Sequence, residues 1–332
     1  PCGLLGGMGE ADSARLLVQS VDTDRFTPRL FEVGMQSALA NADPASVCGM
    51  VDGALVESKE KAWKMSRAIC LALSGEAPQA TAQIDSMRDR GEVKGVDILL
   101  AEKVIGAGGN SRRSVKIEWE NVPGLTAWRY GLSTATAVPI PDKLMQTVGS
   151  HVRAWQAKAP LLSFSERQRG ADVAAAMGVY SSAALVDHYA SMIDADEVSE
   201  GVSKTGQNLQ RAFVGKSAED KVGAMRALWT AEKLDRYAQY ARFIMTARAA
   251  AMLPVSESVS ADVDNLIFSM LTAGYDTRAA QWAGVASNAG GAAGERAMAI
   301  LAVGSPTPLK TFDSGDVSGF DGKSENAARL LF

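Results

Sequence analysis

The segment VIGAGGNSRR at 104–113 has the composition closest to a phosphate-binding loop, with glycines followed by two arginines. A dinucleotide-binding loop places its glycines after a buried strand and before a helix, where free backbone amides meet the phosphates. Here the upstream residues have helical spacing, and Ser111 stands where the third glycine is expected. We therefore expect a helix C-terminus followed by a loop, with Arg112 and Arg113 exposed.

Catalysis by histidine would have to use His151 or His188, and among the many carboxylates no pair stands out for acid–base work. Asp187 is adjacent to His188 and points away from it on a helix, so we expect a structural or surface histidine. No order of residues suggests a serine or cysteine nucleophile with its base and orienting acid. The sequence thus names no catalytic residue, and we favour a protein that is not an enzyme.

The three cysteines stand at positions 2, 48 and 70, without a CxxC pair or a Cys/His cluster of metal-binding spacing. We therefore expect no metal site and no cofactor. Cys48 and Cys70 fall in neighbouring predicted helices, which antiparallel packing could bring within bridging distance. A disulfide would indicate an oxidising compartment such as a periplasm, and the alternative is two buried free thiols.

Composition excludes several classes of function. The 332 residues are 47% hydrophobic and 22% charged, which is typical of a folded chain. The formal net charge of -4 gives no basic surface for nucleic acid or anionic lipid. No run approaches the roughly 18 to 20 apolar residues of a membrane-spanning helix. The expected partner is therefore another protein, within a larger assembly.

Helical periodicity dominates the chain and predicts an all-α fold. The clearest stripe lies at 230–252, where apolar residues recur at steps of three or four. Ser163 with Glu166 and Ser217 with Asp220 have the spacing of helix start signals. The segment 114–122 alternates like a strand but has no evident partner. Further helices are predicted at 11–20, 27–40, 44–56, 58–74, 76–90, 95–105, 181–193, 203–214, 259–273, 276–287 and 293–303.

The six tryptophans are spread along the chain. We expect most of them to pack between helices and one or two to line a groove as binding anchors.

A recurring turn joins several of these helices. A helix ends in glycine, and alanine follows five positions later, near the start of the next helix. Glycine accepts the left-handed conformation that ends a helix, and alanine permits close packing. The spacing resembles the turn of tetratricopeptide repeats, and this resemblance implies helix-turn-helix units stacked as an α-solenoid. An irregular helical array is the alternative. The pairs are Gly75 with Ala80, Gly178 with Ala183, and Gly274 with Ala279.

Three regions follow from these patterns. Residues 1–110 form an N-terminal helical array, and 111–303 form a C-terminal array continuous with it. Residues 304–332 change to proline, glycine, serine and aspartate, which predicts an extended tail.

The favoured function is a non-catalytic helical scaffold for protein–protein interaction in a bacterial envelope assembly. The segment 271–306 resembles exported helical proteins of proteobacteria, which implies a periplasmic or other exported location, with the cytoplasm as the alternative. A second hypothesis is a peptidoglycan-associated module similar to the superhelical domain of lytic transglycosylases, whose catalytic motif is not found here. A third is a helical pocket for an apolar ligand, suggested by Met245, Met252 and Met270.

Overall fold

The structure is a computed structural model that describes residues 2–109, 115–194 and 200–305, and all regular structure in these ranges is helical. The chain divides into two compact units, Pro1–Val179 and Tyr180–Phe332, called here the N-terminal unit and the C-terminal unit. The all-helical prediction is confirmed. The solenoid arrangement stays a prediction.

The described part of the N-terminal unit contains eleven α-helices, α1 to α11. Short 3-10 helices lie at Thr23–Arg25, Pro44–Met50 and Gln156–Lys158. The α-helices are α1 Cys2–Gly7, α2 Ala11–Gln19, α3 Pro28–Ala40, α4 Val51–Glu57, α5 Lys61–Leu73, α6 Ala77–Asp89, α7 Val96–Gly108, α8 Ala127–Ala135, α9 Asp142–Met145, α10 Ser150–Trp155 and α11 Phe164–Ala176.

The described part of the C-terminal unit contains eight α-helices and a 3-10 helix at Glu257–Asp262. They are α12 Ser182–Asp194, α13 Glu200–Val214, α14 Ala218–Trp229, α15 Arg236–Ala251, α16 Val263–Thr272, α17 Asp276–Ala280, α18 Ala283–Ala289 and α19 Gly291–Gly304.

Both predicted start signals cap helices. The Glu166 amide donates to Ser163 Oγ at 3.3 Å, and the Glu166 carboxylate accepts from the Ser163 amide at 3.0 Å, which completes a capping box for α11. The Asp220 amide donates to Ser217 Oγ at 3.1 Å at the start of α14. Local hydrogen bonding therefore fixes these two helix starts.

The three glycine turns share one geometry. Gly75, Gly178 and Gly274 have φ of +89°, +80° and +76°. In each turn the glycine amide donates to the carbonyl three residues before it, and the next amide donates to the carbonyl five residues before it, at 2.8 to 3.1 Å. This pair of bonds satisfies carbonyls that the helix end would otherwise leave open.

The alanines that follow these turns differ in environment. Ala80 and Ala279 are fully buried, whereas Ala183 is exposed. Helix α12 buries Leu185 and Tyr189 instead, so Ala183 lies off the buried face. Similar glycine turns thus precede helices that pack differently, and a repeat relation among them stays a prediction.

The core of the N-terminal unit surrounds Trp63 on α5, which is 2% exposed. The ring of Phe31 on α3 meets it edge-on, with centroids 6.1 Å apart. Helices α6 and α7 pack on α5. The apolar face of α5 therefore packs against helices that precede it and helices that follow it in the chain.

Helix α8 belongs to this same core. Arg129 donates two hydrogen bonds to the carboxylate of Asp97 on α7, at 2.7 and 2.9 Å, and this bonding raises the pKa of Arg129. Trp128 Nε1 donates to the Asp97 carbonyl at 3.1 Å. The two compact units divide at 179/180, and the predicted regions 1–110 and 111–303, continuous with each other, stay a prediction. The predicted tail lies outside the described residues beyond Ser305.

The strand-like segment does not join a sheet. Residues 115–119 have no regular secondary structure, and Ile117 and Trp119 pack partly buried on the N-terminal core. Trp119 Nε1 donates to the Pro139 carbonyl at 3.1 Å. The alternation of apolar and polar residues therefore arises because this segment lies on the surface of the helices, with its apolar side chains turned toward the core.

Helix α15 is the central helix of the C-terminal unit and begins at Arg236, later than the predicted residue 230. The carboxylate of Asp235 accepts from the Ala238 amide at 2.8 Å and so caps the helix. The helix packs chiefly against α16. A buried hydroxyl pair joins the two helices, since Thr246 Oγ1 lies 2.9 Å from Ser269 Oγ.

Replacing Thr246 with valine is expected to lower the free energy of unfolding by about 1 to 3 kcal/mol. Trp229 Nε1 donates to Thr246 Oγ1 at 2.9 Å, and valine would leave this buried indole without its acceptor. Urea denaturation of Thr246→Val and Thr246→Ser, which keeps the hydroxyl, checks this. Equal losses in both variants would show that the hydroxyl is not what matters.

Candidate functional site

The glycine-rich segment at 104–109 is the end of helix α7. No strand precedes it, and a Cβ on Gly108 would lie 2.9 Å from Leu73 Cδ2. A Cβ on Gly109 would lie 2.7 Å from Ala77 Cβ. These two glycines therefore permit close packing against α5 and α6. Arg112 and Arg113 lie outside the described residues.

The two histidines lie in different units. His188 on α12 is 7% exposed and packs against the rings of Tyr180 and Tyr189, each with its centroid 6.3 Å away. His151 on α10 meets the ring of Trp155 edge-on at 5.4 Å, and partial burial lowers the pKa of His151. Among the described residues, no group of three or more His, Cys, Asp or Glu could hold a metal ion.

The structure joins Cys48 and Cys70 in a disulfide, with Cα atoms 5.6 Å apart. Cys48 lies in the 3-10 helix Pro44–Met50 and Cys70 lies near the end of α5. Cys2 on α1 remains a free, half-buried thiol. The oxidation state of the two bridged residues in the cell stays a prediction.

Three cavities border helix α3. The first, of about 170 Å³, lies among α1, α2, α3 and α10. The second, of about 180 Å³, lies between α2, α3 and Pro44–Met50. The third is a groove of about 520 Å³ between α1 and α3. The first, called here the inner cavity, and the third, called the outer groove, share Cys2, Gly3 and Val33 and so adjoin each other at α1 and α3.

The segment from α1 to α2 also exposes large apolar side chains. Leu4 is 75% exposed, Met8 57%, Leu16 62% and Leu17 42%, all within a short stretch of chain. Leu4 lines the outer groove together with Leu30. Exposed apolar surface beside a groove is typical of interaction sites, so the face of α1 that presents Leu4 to this groove is the candidate functional surface.

Aromatic residues form the inner wall behind this surface. Trp155 on α10 is 8% exposed, and its ring lies 5.7 Å from that of Tyr130 on α8. Full burial raises the pKa of the Tyr130 hydroxyl. The sequence did not predict that Trp155 lies against Tyr130 or lines a cavity with Cys2, because these residues come together only after folding.

A buried cation in the C-terminal unit was also missed. Arg242 on α15 is 5% exposed and donates to the Tyr189 hydroxyl at 2.7 Å. Its guanidinium carbon lies 5.3 Å from the centre of the Tyr189 ring, within cation–π range. The sequence signal for this buried cation was an arginine within the apolar stripe at 230–252.

The three methionines of the ligand-pocket hypothesis do not form one site. Met245 and Met270 are fully buried in the C-terminal core, and Met252 is 61% exposed. The tryptophans largely pack as predicted, since all but Trp119 are at most 9% exposed.

No helix in the described part of the chain is long and apolar enough to cross a membrane. No protein-family model, curated protein or solved structure matches the chain.

Proposed function

We propose that this protein is a non-catalytic helical scaffold that binds another protein in a bacterial envelope assembly. The observation that carries the proposal is the exposed apolar surface of α1 beside the 520 Å³ groove on α3. An apolar helix of a partner protein suits this groove, because helices α1 and α3 form its two walls.

The energetics of such docking favour Leu4 as an anchor. Full burial of a leucine side chain contributes roughly 1.5 to 3 kcal/mol, and Leu4 has most of its surface still open. Arg29 at the edge of the groove is 72% exposed in its side chain and forms an ion pair with Glu32. An apolar centre with a charged rim is the usual arrangement of a protein interface.

The Cys48–Cys70 disulfide supports the envelope location. Disulfides persist in oxidising compartments such as the periplasm and are rare in the cytosol. A periplasmic or other exported location is therefore part of the proposal.

Replacing Leu4 with aspartate is expected to reduce partner recovery roughly tenfold or more, since it puts a charge in the apolar centre. The measurement is cross-linked affinity capture from the native cell, with quantitative mass spectrometry of the recovered proteins. Val56→Asp is the matched control, because Val56 on α4 is 84% exposed and lines none of the three cavities. Both variants should keep the wild-type melting temperature.

The proposal requires a stoichiometric partner that Val56→Asp retains and Leu4→Asp loses. Equal recovery by both variants, or recovery of the protein alone from wild-type cells, would contradict it. Turnover in a peptidoglycan-release assay would overturn the non-catalytic part.

A further inference from the structure

Four aromatic side chains of the C-terminal unit form a continuous row, called here the aromatic row. Trp229 on α14 is 4% exposed, and its ring stacks on that of Phe243 on α15, with centroids 5.7 Å apart. Phe243 meets Phe268 on α16 edge-on at 4.8 Å, and Phe268 lies 6.0 Å from the ring of Tyr240 on α15. Both phenylalanines are half-buried, and Tyr240 is 37% exposed. The row therefore runs from the core to the surface and presents ring surface to solvent at Tyr240.

Helix α19 brings the chain close to this row. A Cβ on Gly304, the last residue of α19, would lie 2.8 Å from Leu271 Cδ1 on α16. Leu271 follows Phe268 by three residues, and side chains at this spacing are neighbours on one face of a helix. The chain beyond Gly304 therefore starts about one helical turn from Phe268.

The backbone leaves α19 in an extended conformation. Ser305 has φ of -89° and ψ of 123°, as expected for a residue that precedes proline. The residues that follow are Pro306, Thr307, Pro308 and Leu309. Two prolines within three positions favour an extended chain, which loses little conformational entropy when it binds a surface.

The length and chemistry of residues 306–309 suit the aromatic row. Phe268 lies roughly 4.5 Å from Leu271 along the helix axis, and four extended residues span roughly 13 Å. The segment is therefore long enough to pass Phe268 and reach Tyr240. It contains no charged residue. Proline-rich segments bind surfaces lined with aromatic rings, because they already hold the bound conformation.

We propose that residues 306–309 of this chain dock on the aromatic row, with the two prolines against the rings of Phe268 and Tyr240. The row and the segment both belong to the C-terminal unit, whereas the groove of the proposed scaffold role belongs to the N-terminal unit. The two proposals therefore stand on different observations.

Trypsin digestion of the full chain tests this docking. Cleavage after Lys310 requires residues 306–309 to leave the row, whereas cleavage after Lys323 does not. Tyr240→Ser removes the exposed ring and is expected to speed cleavage after Lys310 roughly fivefold, because cleavage follows the population of the open form. Cleavage after Lys323 should keep its wild-type rate. Mass spectrometry of the released fragments measures both rates.

Two variants on α15 are the controls. Tyr240→Phe keeps the ring, and Gln239→Ser changes the exposed neighbour of Tyr240, so both should be cleaved like the wild type. If Tyr240→Ser does not fold, the double variant Pro306→Ser and Pro308→Ser replaces it. Its cleavage after Lys310 is then measured relative to a synthetic peptide of residues 301–332 with the same substitutions, and the same rise is expected.

Three results would overturn the proposal. They are an unchanged rate after Lys310 in Tyr240→Ser, a rise after both lysines in that variant, and an equal rise after Lys310 in Gln239→Ser. Each would leave the aromatic row open to another molecule.

Discussion

Replacing Gly131 with alanine is expected to lower the free energy of unfolding by about 3 kcal/mol, at the upper end of typical overpacking costs. A Cβ at this position would lie 2.6 Å from both Cβ and the carbonyl oxygen of Leu39 and 2.7 Å from its Cα. These atoms belong to or adjoin the backbone of α3, so no side-chain rotation relieves the clash. Helices α3 and α8 would have to move apart.

The same substitution at Gly223 provides the control. Gly223 lies inside α14, and a Cβ there meets no atom within 4 Å. Alanine at an open helical position is expected to raise stability by up to about 1 kcal/mol, because it removes the cost of glycine in a helix. Urea denaturation of both variants measures the two effects. A Gly131→Ala variant as stable as the wild type would show that α3 and α8 are less closely packed than the structure indicates.

Removing the Cys48–Cys70 disulfide is expected to cost about 3 kcal/mol of unfolding free energy. The bond closes a loop of 22 residues in sequence, and the chain-entropy relation for a loop of this length gives that value. The double variant Cys48→Ser and Cys70→Ser should therefore unfold at a lower urea concentration than the wild type. Cys2→Ser, which leaves the bond intact, should unfold like the wild type.

Alkylation with mass spectrometry tests whether the bond exists in protein purified from the native cell without reductant. Under denaturing conditions only Cys2 should be labelled, and reduction should expose two further thiols. Labelling of all three cysteines before reduction would overturn both the disulfide and the envelope location that rests on it.

Helix positions followed largely from local sequence signals. Ser163 and Glu166 mark the start of α11 because both partners of the capping box lie within one helical turn. The turn after α5 requires a positive φ, and Gly75 predicts it because few other residues accept that conformation at low cost. Such signals act over a few residues, and a single sequence contains them.

The short helices and the cavities depend on contacts between distant parts of the chain. Helix α1 has the sequence CGLLGG, whose glycines disfavour an isolated helix, and it is held by packing against α2 and α3. The inner cavity brings Cys2 together with Ser37 and Trp155. No local sequence pattern encodes these contacts, so neither the candidate surface nor the cavity beside it could be predicted from the sequence.

The disulfide also changes what a break in the backbone means. Lys59 is exposed in the link between α4 and α5, inside the loop that Cys48 and Cys70 close. A protease that cuts after Lys59 would leave the two fragments covalently joined through the sulfur atoms. Cleavage and separation are therefore distinct events here, and a nicked molecule would come apart only after a reductant reaches the bond.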